Sequence, residues 1–226
     1  YATPDRGYRY ATRFTLDFLG HKVGDVEDAD IDFAPGDIFV MLDLQHHIAQ
    51  LHRDFYQLLR HHGVKVYFIV HDLLPILLQG IFPHHMKKLH EDWLSVVVES
   101  DGAFCVSRAV AHELADWIRE TDRLQPHPFH IGWFHHGSDF TGSKSWTGLP
   151  AGAEEVLKTL ESRPTFLMVG TLEPRKGHAQ TLDAFEALWA RGVDVNLAIV
   201  GKEGWLVDDL VRRLRHHKER GRRLFW

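Results

Sequence analysis

From about Asp37 onward, short apolar runs alternate with stretches of helical periodicity, and this rhythm constrains the fold more than any other feature of the chain. Alternation with helices is the pattern of βαβ units. Residues 38–44 are the first predicted strand. Ile48, Leu51, Phe55, Leu58 and Leu59 then fall on one face of a helix that Gly63 closes. Further strands are expected at 64–70, 103–106 and 129–134. Between them lie a helix carrying Met86, Leu89, Trp93, Val96 and Val97 and another carrying Val110, Leu114, Trp117 and Ile118, with Ser107 placed to cap the latter.

The stretch 137–152 is rich in Gly, Ser, Thr and Pro and lacks periodicity, so it reads as a connection between two domains, 1–145 and 146–226. After it come a short helix with Val156, Leu157 and Leu160, a strand at 165–169, a helix with Leu182, Phe185 and Leu188 ended by Gly192, and a strand at 195–200. A last helix around Val207, Leu210, Val211 and Leu214 reaches towards Gly221, and 224–226 begins another strand. The fold class is α/β, with two Rossmann-like domains and mostly parallel sheets. Two such domains want about 300 residues. The chain has 226, so the second is expected to be truncated.

Composition narrows the function. With 26 Lys and Arg against 31 Asp and Glu the net charge is −5, which excludes a nucleic-acid binder working through a basic face. A single cysteine, Cys105, in an apolar strand, rules out an internal disulfide and a multi-thiolate zinc site and reads as a buried, inert thiol. The cytoplasm follows as the expected compartment. The most apolar stretch, 73–82, is about half of the 20 residues a membrane crossing needs. The chain starts at Tyr1 with neither an initiator Met nor a signal pattern and is read as part of a longer polypeptide. There are 18 histidines, several in doublets such as His46-His47 and His216-His217. Helical neighbours point in different directions, so no metal site is expected from them. The basic run 212–223 reads as a solvated helix face, with contact to anionic lipid as the competing reading.

The segment carrying most chemistry is Phe166-Leu-Met-Val-Gly-Thr-Leu-Glu-Pro-Arg-Lys-Gly177. A strand delivers Gly170 at its carboxyl end, where ligands of open α/β sheets bind, and two cations, Arg175 and Lys176, precede Gly177 at the mouth of a helix. Adjacent cations beside free helix N–H groups suit a diphosphate. Loop charges beside a proline turn are the plainer alternative.

Val169-Gly-Thr-Leu-Glu-Pro-Arg-Lys-Gly177 resembles the donor-phosphate loop of family 4 glycosyltransferases with the GT-B fold. Three further segments of that pattern stand in order: Phe68-Ile-Val-His-Asp-Leu-Leu-Pro75, Val106-Ser-Arg108 before a helix, and His136-Gly-Ser-Asp-Phe140. Ile199-Val-Gly-Lys-Glu-Gly-Trp205 is similar to the second strand and turn of the family's donor domain. The resemblance covers about 37–226 and is strongest to the bacterial branch that adds mannose or related sugars to lipopolysaccharide and other surface polysaccharides.

The resemblance implies an acceptor domain and a donor domain, transfer with retained anomeric configuration, and a nucleotide sugar, GDP-mannose as the best guess, used as substrate without a cofactor or metal. Arg175 and Lys176, with Gly170 and Gly177, would hold the donor diphosphate and stabilise the leaving nucleotide. His71 would face the sugar and Asp72 would bind a sugar or acceptor hydroxyl, the two forming the catalytic set. Gly137 and Gly201 would line the cleft. The acceptor would be a growing polysaccharide or lipid-linked glycan, which implies peripheral membrane contact and further domains of a longer chain. The family's glycine-rich acceptor loop and its paired-glutamate motif are not in this sequence. A non-catalytic GT-B-like module that binds a saccharide or a partner is therefore the alternative. A dinucleotide oxidoreductase is disfavoured because no G-x-G-x-x-G follows any strand.

Overall fold

The apolar runs form strands within a few residues of their predicted limits. The computed structural model describes residues 1–123, 127–138 and 148–226. It comprises two units, Tyr1–Leu77 with His85–Gly137 and Leu78–His84 with Ser138–Trp226. The expected domain boundary at 145/146, most of the connection 137–152, and Asp139 and Phe140 of the fourth motif lie outside the described residues.

The first unit opens with an antiparallel hairpin, β1 (Ala2–Thr3) and β2 (Gly7–Tyr8), and a short helix, α1 (Thr12–Phe18). There follow β3 (Ile38–Met41), α2 (His46–Leu51), α3 (Arg53–His61), β4 (Lys65–Val70), α4 (Leu74–Leu77), α5 (His84–Val98), β5 (Gly102–Cys105), α6 (Arg108–Glu120) and β6 (His130–Trp133). The four longer strands make a parallel sheet in the order β3-β4-β5-β6. Right-handed crossovers between neighbours that follow one another in sequence send successive helices to one side of a sheet. Met41, Val66, Phe68, Val70, Ala103 and Cys105 point to that side and share a core with Leu59, Trp93, Leu94, Val97 and Leu114. On the opposite side Ile38, Val40, Leu42 and Phe104 are exposed.

The second unit contains α7 (Ala153–Glu161), β7 (Thr165–Val169), α8 (His178–Ala190), β8 (Asn196–Val200), α9 (Asp208–His216) and β9 (Leu224–Phe225). Its sheet is parallel in the order β7-β8-β9. Leu182, Phe185, Leu197, Ile199, Val211, Leu214 and Leu224 form its core, while Leu167, Val169 and Val200 are exposed on the other side. Mixed α/β units with parallel sheets are thus the observed class.

Three local outcomes differ from the periodicity. The helix predicted through 48–59 is interrupted at His52 (φ −104°, ψ 21°), whose imidazole also meets the Thr3 carbonyl at 3.0 Å. The interruption turns Leu51 and Leu58 outward and buries Tyr56, while Ile48 and Leu59 are buried as the spacing predicts. Secondly, α4 forms inside the proline-bearing loop because the Asp72 carboxylate accepts the Leu74 N–H at 3.1 Å and Pro75 enters the first turn, where its missing N–H costs nothing. Thirdly, α9 stops at His216, and the buried Glu219 gathers Arg223 and the N–H groups of residues 222–224 into a separate turn.

Ser107 caps α6 as the sequence predicts: its hydroxyl accepts the Val110 N–H at 3.2 Å. Ser107→Ala is expected to lower stability by about 1 kcal/mol, read as a shifted urea midpoint with an unchanged slope.

Candidate functional site

The loop after β7 is built against the loop after β8. Gly170 donates its N–H to Val200 O at 2.9 Å, Leu172 to Lys202 O at 2.9 Å, and Gly204 to Leu172 O at 3.1 Å, so the pairing of the strands runs on into their loops. Backbones this close leave no room for a side chain. A Cβ on Gly201 would lie 1.9 Å from the Gly170 carbonyl oxygen, and one on Gly204 would lie 2.4 Å from that of Leu172. Gly170 itself has φ 149°, a value that favours glycine.

Anchored in this way, the chain turns through a short 3₁₀ segment, Pro174–Lys176, and enters α8 at Gly177 (φ 73°). As N-cap, Gly177 has no side chain to accept the first N–H groups of the helix, so these donors and the helix dipole face outward beside two cations. Arg175 Nε lies 2.7 Å from Oε2 of the buried Glu173 carboxylate, an ion pair without a well-aligned hydrogen bond among the described residues. Lys176 is exposed. Just inside the helix, His178 is buried, with no hydrogen-bond partner for either ring nitrogen among the described residues. Burial and the charge of Lys176 push its pKa down against the pull of Glu173. The loop thus concentrates positive charge on its outer side and holds a carboxylate behind it.

The first unit gathers its own candidate residues at the carboxyl ends of β4 and β6. His71 follows β4; its Nε2 lies 3.4 Å from Leu42 O, and its ring stacks on that of His136 at 5.8 Å and 16°, beside Gly137. Asp72 is engaged with Leu74. Behind them is a residue that sequence reading missed. His90 is fully buried on α5 and bonds through Nε2 to Asp72 O at 3.0 Å and through Nδ1 to His46 Nε2 at 2.9 Å. A carbonyl only accepts, so Nε2 of His90 carries the proton and Nδ1 accepts from His46. The signal was present, since His90 lies three residues before Trp93 on the apolar stripe of its helix. Glu173 and His178 were likewise passed over, although they flank the cationic turn.

Burial pushes the His90 pKa down to about 4, with His46 adding to the effect and Asp72 opposing it. The unfolded chain binds that proton near pH 6.5 and the folded chain does not, so stability falls as pH drops from 6.5 towards 4. Between pH 7 and pH 5 this group is expected to remove about 2 kcal/mol. Urea unfolding at the two pH values should show a smaller difference in His90→Phe than in the parent chain. Cys105 is buried and its thiol is pushed up to about 11 by burial and Glu113, so it has no nucleophilic role near neutral pH.

A parallel α/β unit with a cationic turn at a helix mouth that lacks a side-chain cap offers a place for an anion. Residues 153–220 match the family described as Glycosyl transferases group 1. All of the chain aligns with proteins named serotype-specific mannosyltransferase WbdA from Escherichia coli, at 39% and 38% identity over 229 residues. It spans 28% of the length of those relatives. The fold is that of solved trehalose-phosphate synthases: the UDP-forming protein from Burkholderia vietnamiensis superposes with a TM-score of 0.53 at 15% identity, over 83% of this chain and 43% of that one. The protein from Burkholderia multivorans gives 0.50 at 15% identity, over 83% and 42%. Among the described residues no helix is long and apolar enough to cross a membrane.

Proposed function

We propose that this chain supplies the donor-phosphate loop of a mannosyltransferase that takes its sugar from GDP-mannose and transfers it, with retention, to a growing surface polysaccharide or lipid-linked glycan. The observation that carries the reading is the Arg175–Lys176 turn facing the uncapped amino end of α8. When the bond between the anomeric carbon and the phosphate oxygen breaks, its electron pair stays on the nucleoside diphosphate. Arg175 and Lys176 stabilise that charge, while Gly170 and Gly177 let the backbone approach the phosphates. The acceptor oxygen forms the new bond to the anomeric carbon, and its proton passes to the departing phosphate. His71 and Asp72 are assigned to sugar or acceptor hydroxyls. The cations do the work a metal would otherwise do, so no cofactor is invoked.

The names of the Escherichia coli relatives support mannose as the sugar. Peripheral contact with the membrane that carries a lipid-linked acceptor belongs to the same proposal, with the basic face of α9 as its candidate. Titration calorimetry of GDP-mannose, GDP, UDP and ADP, without divalent cations, tests the donor assignment. Saturable binding restricted to the guanine nucleotides is expected. Equal binding of all four nucleotides, or preference for UDP, overturns GDP-mannose as the donor.

A further inference from the structure

The amino-terminal hairpin and the carboxyl end of β3 enclose a cavity of about 630 Å³ that the roles given above leave unused. This is within the range of about 300–1,000 Å³ of small-molecule sites and is larger than a single hexose needs. Its apolar wall is made by Phe39 and Met41 together with Tyr8, whose ring packs edge-on against Phe39 at 4.9 Å. Its polar lining includes Arg9, Asp43 and Gln45. Gln45 Nε2 donates to Asp43 Oδ2 at 2.7 Å, which fixes the two planar groups side by side and leaves Oδ1 of Asp43 and the Gln45 carbonyl oxygen to meet a ligand. Arg9 Nε is buried 3.3 Å from Asp30 without a well-aligned hydrogen bond among the described residues.

We propose that this cavity is a saccharide subsite that binds hexose units of the acceptor glycan, an inference that rests on the glycosyltransferase reading. Three observations carry it. A pyranose presents an apolar C–H face and a rim of neighbouring hydroxyls, and the cavity offers an aromatic and aliphatic wall beside planar carboxylate, amide and guanidinium groups that engage hydroxyls in pairs. The lining holds one cationic side chain, Arg9, which is paired with Asp30 outside it, and one carboxylate, Asp43, so it suits a neutral ligand, unlike the Arg175–Lys176 turn. Leu42, which lines the cavity, is also the residue whose carbonyl meets His71, so a glycan seated here lies next to the strand end assigned to hydroxyl chemistry.

The test is a titration of the 226-residue chain with α-linked mannotriose, followed by calorimetry and by the NMR signals of the Tyr8 ring. Mannotriose is expected to bind saturably and to shift those signals. Asp43→Asn and Gln45→Ala should each weaken it about tenfold, the share of one good hydrogen bond to a charged or well-oriented group. Asp43 is exposed and the asparagine has the same shape, so that variant retains the fold. Absence of mannotriose binding, or equal affinity in both variants and the parent, overturns the subsite. GDP-mannose run in parallel separates this result from the donor assignment: mannotriose binding without donor binding keeps the subsite and removes the donor, and the reverse removes the subsite alone.

Discussion

Arg175→Ala/Lys176→Ala is expected to weaken GDP-mannose binding at least a hundredfold. In the proposed site each cation would make a charge-assisted contact worth about 1.5–3 kcal/mol with a phosphate oxygen, and about 2.7 kcal/mol already corresponds to a factor of a hundred. The two residues are not equivalent. Lys176 is exposed, so its removal subtracts ligand contact and little else. Arg175 also neutralises Glu173, a buried carboxylate, so its removal leaves a charge in a poor dielectric environment and loosens the loop. Lys176→Ala alone should therefore lose affinity at constant stability, whereas Arg175→Ala loses both. Calorimetry and urea unfolding of the three variants check this. Unchanged affinity in the double variant would remove the loop from the donor site.

The second large effect is expected from Gly201→Ala, a single methyl group. At 1.9 Å from the Gly170 oxygen and 2.7 Å from its carbonyl carbon, the methyl meets backbone on both counts, and backbone cannot swing aside as a side-chain tip does. The two loops must part, which disrupts the Leu172–Lys202 and Gly204–Leu172 hydrogen bonds. A loss of about 3 kcal/mol is expected, at the upper end of overpacking costs. The phosphate loop is displaced with it, so GDP-mannose affinity falls although no ligand-contacting side chain has changed. Gly137→Ala, which meets nothing within 4 Å, is the control and should leave the urea midpoint where it is. A Gly201→Ala protein as stable as its parent would show that the loops are not packed as described.

The same glycine shows where the sequence was readable. The apolar runs at 165–169 and 195–200 marked β7 and β8 because a parallel strand is apolar along its length, and the order Gly170, Arg175, Lys176, Gly177 is continuous in sequence. Gly201 was singled out as a cleft residue, yet the structure gives it a steric reason that depends on a carbonyl 31 residues earlier, a contact no local pattern reports. His90 hid for a related cause: its polar label outweighed its place on an apolar stripe, and only the carbonyl of Asp72 and the ring of His46 explain why a histidine can be buried there. The hairpin at 2–8 has strands of two residues, too short for any period to declare itself. The interruption at His52 replaced one predicted helix by two, because a backbone turn changes which face is buried without altering the spacing that predicted it.

The neighbour-to-neighbour strand order also bears on how the molecule reaches its fold. Ile38 pairs with Lys65, Tyr67 with Gly102, Gly102 with His130, and Thr165 with Asn196, so every long parallel pairing closes a loop of roughly 30 residues. A sheet whose order doubles back requires some strands to wait for partners far along the chain, and such distant closures slow folding. Here each βα segment can add to the edge just completed, in the order in which a ribosome delivers it, and each edge strand is open only until the next segment arrives.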